Sequence, residues 1–288
     1  MPGLEIAAHA KINLSLDVLG KREDGYHDLR MIMQTVALHD TVQLEAVPGG
    51  ISMECKNRWV PQDRTNLAWK AADLLIGCHG IKSGVRIKII KRIPVSAGLA
   101  GGSTDAAAVL RGMNDLFSLE LGMDELRRLG MQIGADVPYC VSGGTRLAEG
   151  IGERLAALPD FSGVDIVIVK PKIGVSTAWV YGNLDISKIT ERDRPDANLL
   201  GQALERRDIG TVAGIMKNVL EKVTIPKYSI IQEAKERLIE EGASGSMMSG
   251  SGPAVFGIFP DSSTAAAAYG KLALDRRWQC FCTKTTDI

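Results

Sequence analysis

One stretch constrains the fold more than any other: "PVSAGLAGGSTDAAA", from Pro94 to Ala108, a glycine-rich turn that runs directly into helix-forming alanines. Before it, Val85, Ile87 and Ile89 alternate with polar residues and predict a strand over Gly84–Ile90. After it, Val109, Leu110, Met113, Leu116 and Phe117 fall on one helical stripe. The turn therefore joins a strand to a helix, and the chain must mix the two.

The first turn of a helix carries backbone N–H groups without internal partners, and the aligned peptide dipoles place partial positive charge there. A phosphate is a natural ligand for such an end. Gly98, Gly101 and Gly102 remove side chains that would hold a phosphate off, while Ser103 or Thr104 can cap the helix or offer a hydroxyl to phosphate or its magnesium. The plainer alternative is a tight connection that binds nothing. Ser103 follows Gly102 directly, so there is no P-loop lysine. The spacing also fails the dinucleotide pattern, and no H-R-D or D-F-G protein-kinase signature occurs.

Further strands are predicted over Lys11–Val18 and Thr41–Val47. Leu67, Ala71, Leu74 and Leu75 form the stripe of a helix in "NLAWKAADLLIG", closed by Gly77. The breaker-rich "LPDFSG", residues 158–163, marks a domain boundary before the apolar strand "VDIVIVKP". The second half supplies helices over Ala197–Arg207, Ser229–Glu241 and Thr264–Leu274, with the strand "PAVFGIFP" between the last two. These patterns predict an α/β or α+β class in two domains, 1–160 and 161–288.

A chain of 288 residues with 45% hydrophobic composition can bury a substantial core. Lysine plus arginine and aspartate plus glutamate number 34 each, so no global charge advertises a nucleic-acid or membrane partner. Any anion site must be local. The five cysteines (Cys55, Cys78, Cys140, Cys280 and Cys282) form no Cys-x-x-Cys pair, so no metal framework or disulfide set is expected. Their odd number, with no leader-like start and no run of 18 apolar residues, leads to the expectation of a cytoplasmic protein.

Two more stretches carry chemistry. Lys11 and Asn13 sit at alternate positions of the first strand and point the same way, ahead of a turn at Asp24-Gly25 followed by Tyr26 and His27. Asp136 stands after a glycine-ended helix and before Val-Pro, where a carboxylate can project from a loop held by rigid neighbours. Taken singly, a strand lysine is usually solvated and such an aspartate usually shapes a turn.

Taken together, "AKINLSLDVLGKREDGYH", "PVSAGLAGGSTDAAA" and "SGSGPAVFGIF", in this order, resemble the three motifs of the galactokinase, homoserine kinase, mevalonate kinase and phosphomevalonate kinase (GHMP kinase) superfamily. The resemblance covers residues from about 8 to 260. With "IGADVPYCVSGG" and "AEGIGE" it is similar to the branch whose substrate carries a diphosphocytidyl group. It implies an α+β fold, with an N-terminal domain like ribosomal protein S5 domain 2 and a ferredoxin-like C-terminal domain. The implied reaction moves the γ-phosphoryl of ATP to the tertiary 2-hydroxyl of a diphosphocytidyl-methylerythritol, a step in the non-mevalonate route to isoprenoid precursors.

The resemblance also implies roles. Pro94, Gly98, Leu99, Ala100, Gly101, Gly102, Ser103 and Thr104 fall to the ATP phosphates, with magnesium carried on ATP, and Asn66 and Lys91 to positions near adenine. Gly250-Ser251-Gly252 closes the site from the second domain. Lys11 and Asp136 occupy the paired lysine and aspartate positions, a pairing that suits phosphoryl transfer, in which an aspartate accepts the hydroxyl proton and a cation offsets developing charge. Asn13, Tyr26 and His27 match recognition of the cytidine end, and Tyr181 matches an aromatic on the far side of the base, with packing in the second domain as its alternative. His9, His39 and His79 fit no motif and are read as structural.

Ala100 stands where many relatives have glycine; an alanine still permits close approach if its φ is negative. Thr104 replaces a serine and retains the hydroxyl. The expected partner is a small-molecule cytidine-diphosphate substrate, and the chain is expected to be a monomer or weak homodimer. The competing readings are a kinase for another small alcohol such as mevalonate or homoserine, against which the Asp24-Gly25-Tyr26-His27 turn argues, and a non-catalytic nucleotide sensor, against which the retention of Lys11 and Asp136 argues. RNA binding by fold analogy is weaker, since no basic, aromatic-interleaved patch occurs.

Overall fold

A computed structural model describes residues 3–287. The chain opens with two long strands, β1 (Leu4–Lys21) and β2 (His27–Val47), then β3 (Ile51–Cys55), α1 (Leu67–His79), β4 (Gly84–Ile90) and α2 (Gly101–Leu116). It continues through α3 (Met123–Met131), α4 (Val137–Ser142), β5 (Thr145–Gly150), β6 (Arg154–Ala157), β7 (Asp165–Pro171) and α5 (Thr177–Gly182). After these come α6 (Ala197–Glu205), α7 (Ile209–Ile215), β8 (Lys217–Asn218), α8 (Glu221–Lys227) and α9 (Ile230–Glu240). The last elements are β9 (Gly245–Met248), β10 (Val255–Phe259), α10 (Ser262–Leu272) and β11 (Trp278–Lys284). No helix among the described residues is long and apolar enough to cross a membrane.

Two compact units emerge, neither continuous in sequence. One comprises the chain up to Ala10 with Leu38–Val95 and Ala100–Ser142; the other comprises Lys11–Ala37, Ser96–Leu99 and Gly143 onward. Both β1 and β2 contribute to both.

In the first unit β4 pairs antiparallel with β2, from Thr41↔Ile90 to Val47↔Gly84, and parallel with β3. Helix α2 is small-faced and inward: Ala106, Ala107, Ala108, Val109, Leu110 and Met113 are all fully buried. At Gly112 an added Cβ would lie 2.5 Å from a methyl carbon of Ile6, so the missing side chain lets the helix lie close on its neighbours. α1, α3 and α4 pack against α2. Helix α1 runs through Gly77, where the sequence pattern predicts its end, to His79, and stops at Gly80 with φ 60°. A glycine inside a helix is tolerated, whereas the left-handed residue at the end is where glycine is favoured.

In the second unit an antiparallel sheet runs in the order β11-β7-β10-β9, with α9 and α10 packed on it. The apolar run read as a buried strand is β7, and Ile166, Val167, Ile168 and Val169 are all fully buried. β5 pairs antiparallel with the first part of β2 and with β6, and β8 adds a short parallel pairing to β1 at Ser15 and Leu16.

The two opening strands are far longer than their alternating segments. On β1, Lys11, Asn13, Ser15 and Asp17 are as buried as Ile12, Leu14, Leu16 and Val18 between them, with none above 5% exposure. The alternation over Lys11–Val18 therefore marks a strand but no solvent-facing side, because both faces are covered.

Candidate active site

Buried polar groups must be partnered, and the inward polar row of β1 meets that demand in sequence. Lys11 Nζ donates to Asn13 Oδ1 at 2.7 Å, and Asn13 Nδ2 faces Met31 Sδ at 3.5 Å. Ser15 Oγ accepts from the Ile32 N–H at 3.1 Å, and Asp17 pairs with Arg194 at 2.6 Å. Asn13 is fully buried, and its amide meets Lys11 on one side and Met31 on the other, with a second N–H and a second lone pair left over. Lys11 makes no ion pair among the described residues, which leaves a buried ammonium with further donors available.

The backbone of Lys11 fixes the glycine loop in turn: its N–H donates to the Leu99 carbonyl at 3.2 Å. Ala97 and Leu99 are buried, while the alternate residues Ser96, Gly98 and Ala100 take φ of 52°, 81° and 57°. Such alternation is the backbone signature of an anion-binding nest. The condition of a negative φ at Ala100 is thus not met. This alanine is itself the left-handed N-cap of α2, and the helix begins at Gly101, within the glycine run.

Neither hydroxyl caps α2. Thr104 Oγ1 donates to the His9 carbonyl at 2.6 Å and is buried, whereas the Ser103 hydroxyl has no partner among the described residues. Gly98 is held from the other side: Ser249 Oγ donates to its carbonyl at 3.0 Å, and a Cβ there would lie 2.1 Å from the Ser249 carbonyl oxygen. Asn218 Nδ2 donates to both the Met248 and Gly250 carbonyls at 2.8 Å, which shapes the glycine segment that follows.

The two residues assigned near adenine have structural duties. Asn66 caps α1, with Oδ1 accepting from Ala68 N–H at 2.8 Å and Nδ2 donating to the Pro61 carbonyl at 2.7 Å. Lys91 Nζ pairs with Asp40 and with Asp105 (2.8 Å) and also donates to the Gly101 carbonyl (3.3 Å). Burial works against the Lys91 charge, but Asp105 and Asp40 outweigh it and raise the pKa. With three donors on three acceptors, the ammonium has none left for a nucleobase, and Lys91 instead braces the start of α2. Pro94 lies half-buried just before the loop.

His27 and Tyr181 are brought together. Their rings lie 5.2 Å apart at 35°, which gives Tyr181 a place beside a motif residue far away in sequence. Burial and the neighbouring Lys21 push the His27 pKa down, so the ring is neutral at neutral pH and can both donate and accept. Tyr26 is 58% exposed, on a turn tied by its own N–H to Asp24 and by Arg22 to Asp24 and Asp28. Helix α5, which carries Tyr181, is capped by Ser176, and Thr177 shares a 2.8 Å hydrogen bond with Ser251. Lys227 Nζ sits 3.8 Å above the Trp179 ring on the same helix.

Sequence reasoning missed Thr177, Asn218 and Ser249. Thr177 stands four residues before Tyr181 in the weak stretch "VSTAWVYGNL", Asn218 lies in no motif, and Ser249 opens the last glycine motif, where a serine gives no signal of its own. Asp136 is half-buried and immediately precedes α4; its carbonyl accepts from Cys140 N–H, and its carboxylate makes no hydrogen bond or ion pair among the described residues.

Models of the GHMP kinases N terminal domain and the GHMP kinases C terminal domain match residues 66–144 and 202–275, and these define the class of the protein as GHMP kinase. A 4-diphosphocytidyl-2-C-methyl-D-erythritol kinase of Acetivibrio thermocellus is 56% identical over 99% of this chain and 100% of its own length. One from Clostridium botulinum (strain Eklund 17B / Type B) is 51% identical over 98% of this chain and 100% of its own. A crystal structure of 4-(cytidine 5'-diphospho)-2C-methyl-D-erythritol kinase superposes with a TM-score of 0.85 at 32% identity, covering 99% of this chain and 100% of that one. The chain belongs to the 4-diphosphocytidyl-2-C-methyl-D-erythritol kinase family. A homoserine kinase from Cytophaga hutchinsonii shares the fold at 18% identity, with a TM-score of 0.80 over 100% of this chain and 95% of that one.

Proposed function

We propose that the protein transfers the γ-phosphoryl group of ATP to the 2-hydroxyl of 4-diphosphocytidyl-2-C-methyl-D-erythritol, giving the 2-phosphate and ADP, in the non-mevalonate route to isoprenoid precursors. The observation that carries this reading is the full-length similarity, 56% identity over 99% of the chain, to a kinase named for that substrate. The ring pair of His27 with Tyr181 supports it, since a neutral imidazole beside an aromatic face suits the edge and face of a cytosine.

In this proposal the ATP phosphates lie on the nest from Ser96 to Ala100 and the free N–H groups of Gly101, Gly102 and Ser103. Asp136 accepts the proton of the attacking hydroxyl, and Lys11, oriented by Asn13, offsets charge on the oxygen and the transferring group. No group of three or more His, Cys, Asp or Glu able to hold a metal occurs among the described residues. Magnesium on the phosphates needs few protein ligands, and Ser103 is the loop hydroxyl free to meet it. The ion would supply charge compensation on the phosphates.

The proposal divides the chain at about residue 160 into an ATP-binding N-terminal domain and a C-terminal domain. It places the protein in the cytoplasm, a reading supported by an odd number of cysteines with no Cys-x-x-Cys pair. Phosphorus NMR of the product tests the regiochemistry. The expected new resonance is a phosphate monoester on a tertiary carbon; a monoester coupled to carbinol protons would place the phosphate on another hydroxyl and overturn the assignment.

A further inference from the structure

Two buried acids flank Lys91, and they are unequally served. Asp40 takes the Arg92 and Ile93 N–H groups on Oδ1, the latter at 2.9 Å, and Lys91 on Oδ2. Asp105 takes Lys91 on Oδ2 at 2.8 Å, and its Oδ1 is buried without a hydrogen-bond donor among the described residues. Asp105 is 3% exposed and sits in the second turn of α2, while the same Lys91 ammonium reaches the Gly101 carbonyl in the first. The contact is close: a Cβ at Gly101 would lie 3.2 Å from Lys91 Nζ. A carboxylate oxygen without a donor, away from water, is costly, and a proton shared between the two acids therefore has its place on Asp105.

We propose that Asp105 is a positioning residue whose proton sets how strongly the first turn of α2 holds an anionic phosphate, so that affinity for ATP falls as Asp105 ionises. This rests on the reading of that turn as the ATP phosphate site. With Asp105 protonated, Lys91 and Asp40 cancel and the cluster beneath the turn is neutral. Once Asp105 ionises, the cluster carries one net negative charge at the helix end that would receive the phosphates, against the favourable sign there. Burial raises the Asp105 pKa to about 7, with Asp40 adding to the rise and Lys91 opposing it, so the change falls in the neutral range. The groups that face Asp105 are Lys91, Asp40 and the buried Cys55 thiol. α1 and α4 also pack on α2, where Cys140 of α4 faces Arg111.

The test compares wild type with Asp105→Asn, which keeps the shape and cannot ionise, by calorimetric titration of the full-length protein with ATP across the neutral pH range. Protonation of ATP itself is common to both and cancels in the ratio of their dissociation constants. That ratio is expected to lie near one on the acid side and to grow to about three- to tenfold in favour of the variant on the alkaline side, as one partly screened buried charge would give. A ratio independent of pH overturns the inference while leaving the phosphate site intact; no ATP binding by wild type overturns the site itself. If Asp105→Asn does not fold, infrared spectroscopy of wild type decides: the carbonyl band of a buried protonated carboxyl should vanish as pH rises through about 7, and a band that never titrates contradicts the proposal.

Discussion

Lys11, Asn13, Ser15 and Asp17 place four polar side chains in succession on an interior face of β1, and only their mutual and tertiary bonds make that tolerable. Asn13→Ala should therefore act through Lys11, lowering kcat about tenfold with little change in KM for the cytidyl substrate; a selective rise in that KM would instead put Asn13 on the substrate. Asp136→Asn should lower kcat by about 10²- to 10⁴-fold while ATP affinity measured by titration stays near wild type, as expected of a proton acceptor. At Ala100 the positive φ costs an alanine about 1–2 kcal/mol, against a smaller entropic penalty for glycine in the unfolded chain. Ala100→Gly should consequently raise stability by about 0.5–1 kcal/mol in urea unfolding, and a loss of stability would show the backbone there to be unstrained. These features were hidden from sequence reasoning for one reason: the φ of residue 100 and the partners of Asn13, Lys91 and Thr104 are set by residues distant in the chain.

Among the elements, legibility follows how burial is distributed. β4 alternates because one face is covered more than the other, and β7 and β10 read as apolar runs because both faces are covered by apolar neighbours. On β1 the alternation over Lys11–Val18 marks only part of the strand, and on β2 the buried Gln34 and Asp40 interrupt the pattern ahead of Thr41–Val47. The two-residue β8 is too short to carry any period, and its pairing to β1 comes from tertiary packing. A local cap overrides the apolar stripe at a helix start: Asp261 takes the Ser263 and Thr264 N–H groups at 2.9 Å, and α10 begins at Ser262, two residues before the Thr264 that the pattern predicts. Asn66 caps α1 and also ties the preceding loop to it through Pro61. Asn66→Ala should cost about 1 kcal/mol, a fall in Tm of about 2–4 °C. An unchanged Tm would mean that the tertiary packing of α1 needs no cap.

At the scale of the whole molecule, the class was legible because its chemistry lies in contiguous motifs. The glycine turn, the Lys11 strand and the Asp136 loop each keep their residues within a few positions, so a reader of sequence meets them intact. What the sequence could not convey is assembly. It did not show that Tyr181 of a short helix meets His27, that Thr177 ties that helix to Ser251, or that the first helix turn rests on Lys91 between two acids. The comparisons place the chain among GHMP kinases over both family segments and, at full length, within one family of them. The central claim is the choice of phosphoryl acceptor, and ADP release by the purified protein with magnesium and ATP tests it most directly. The account predicts ADP release when 4-diphosphocytidyl-2-C-methyl-D-erythritol is supplied and only background with mevalonate or homoserine; equal release with either of those alcohols would contradict it.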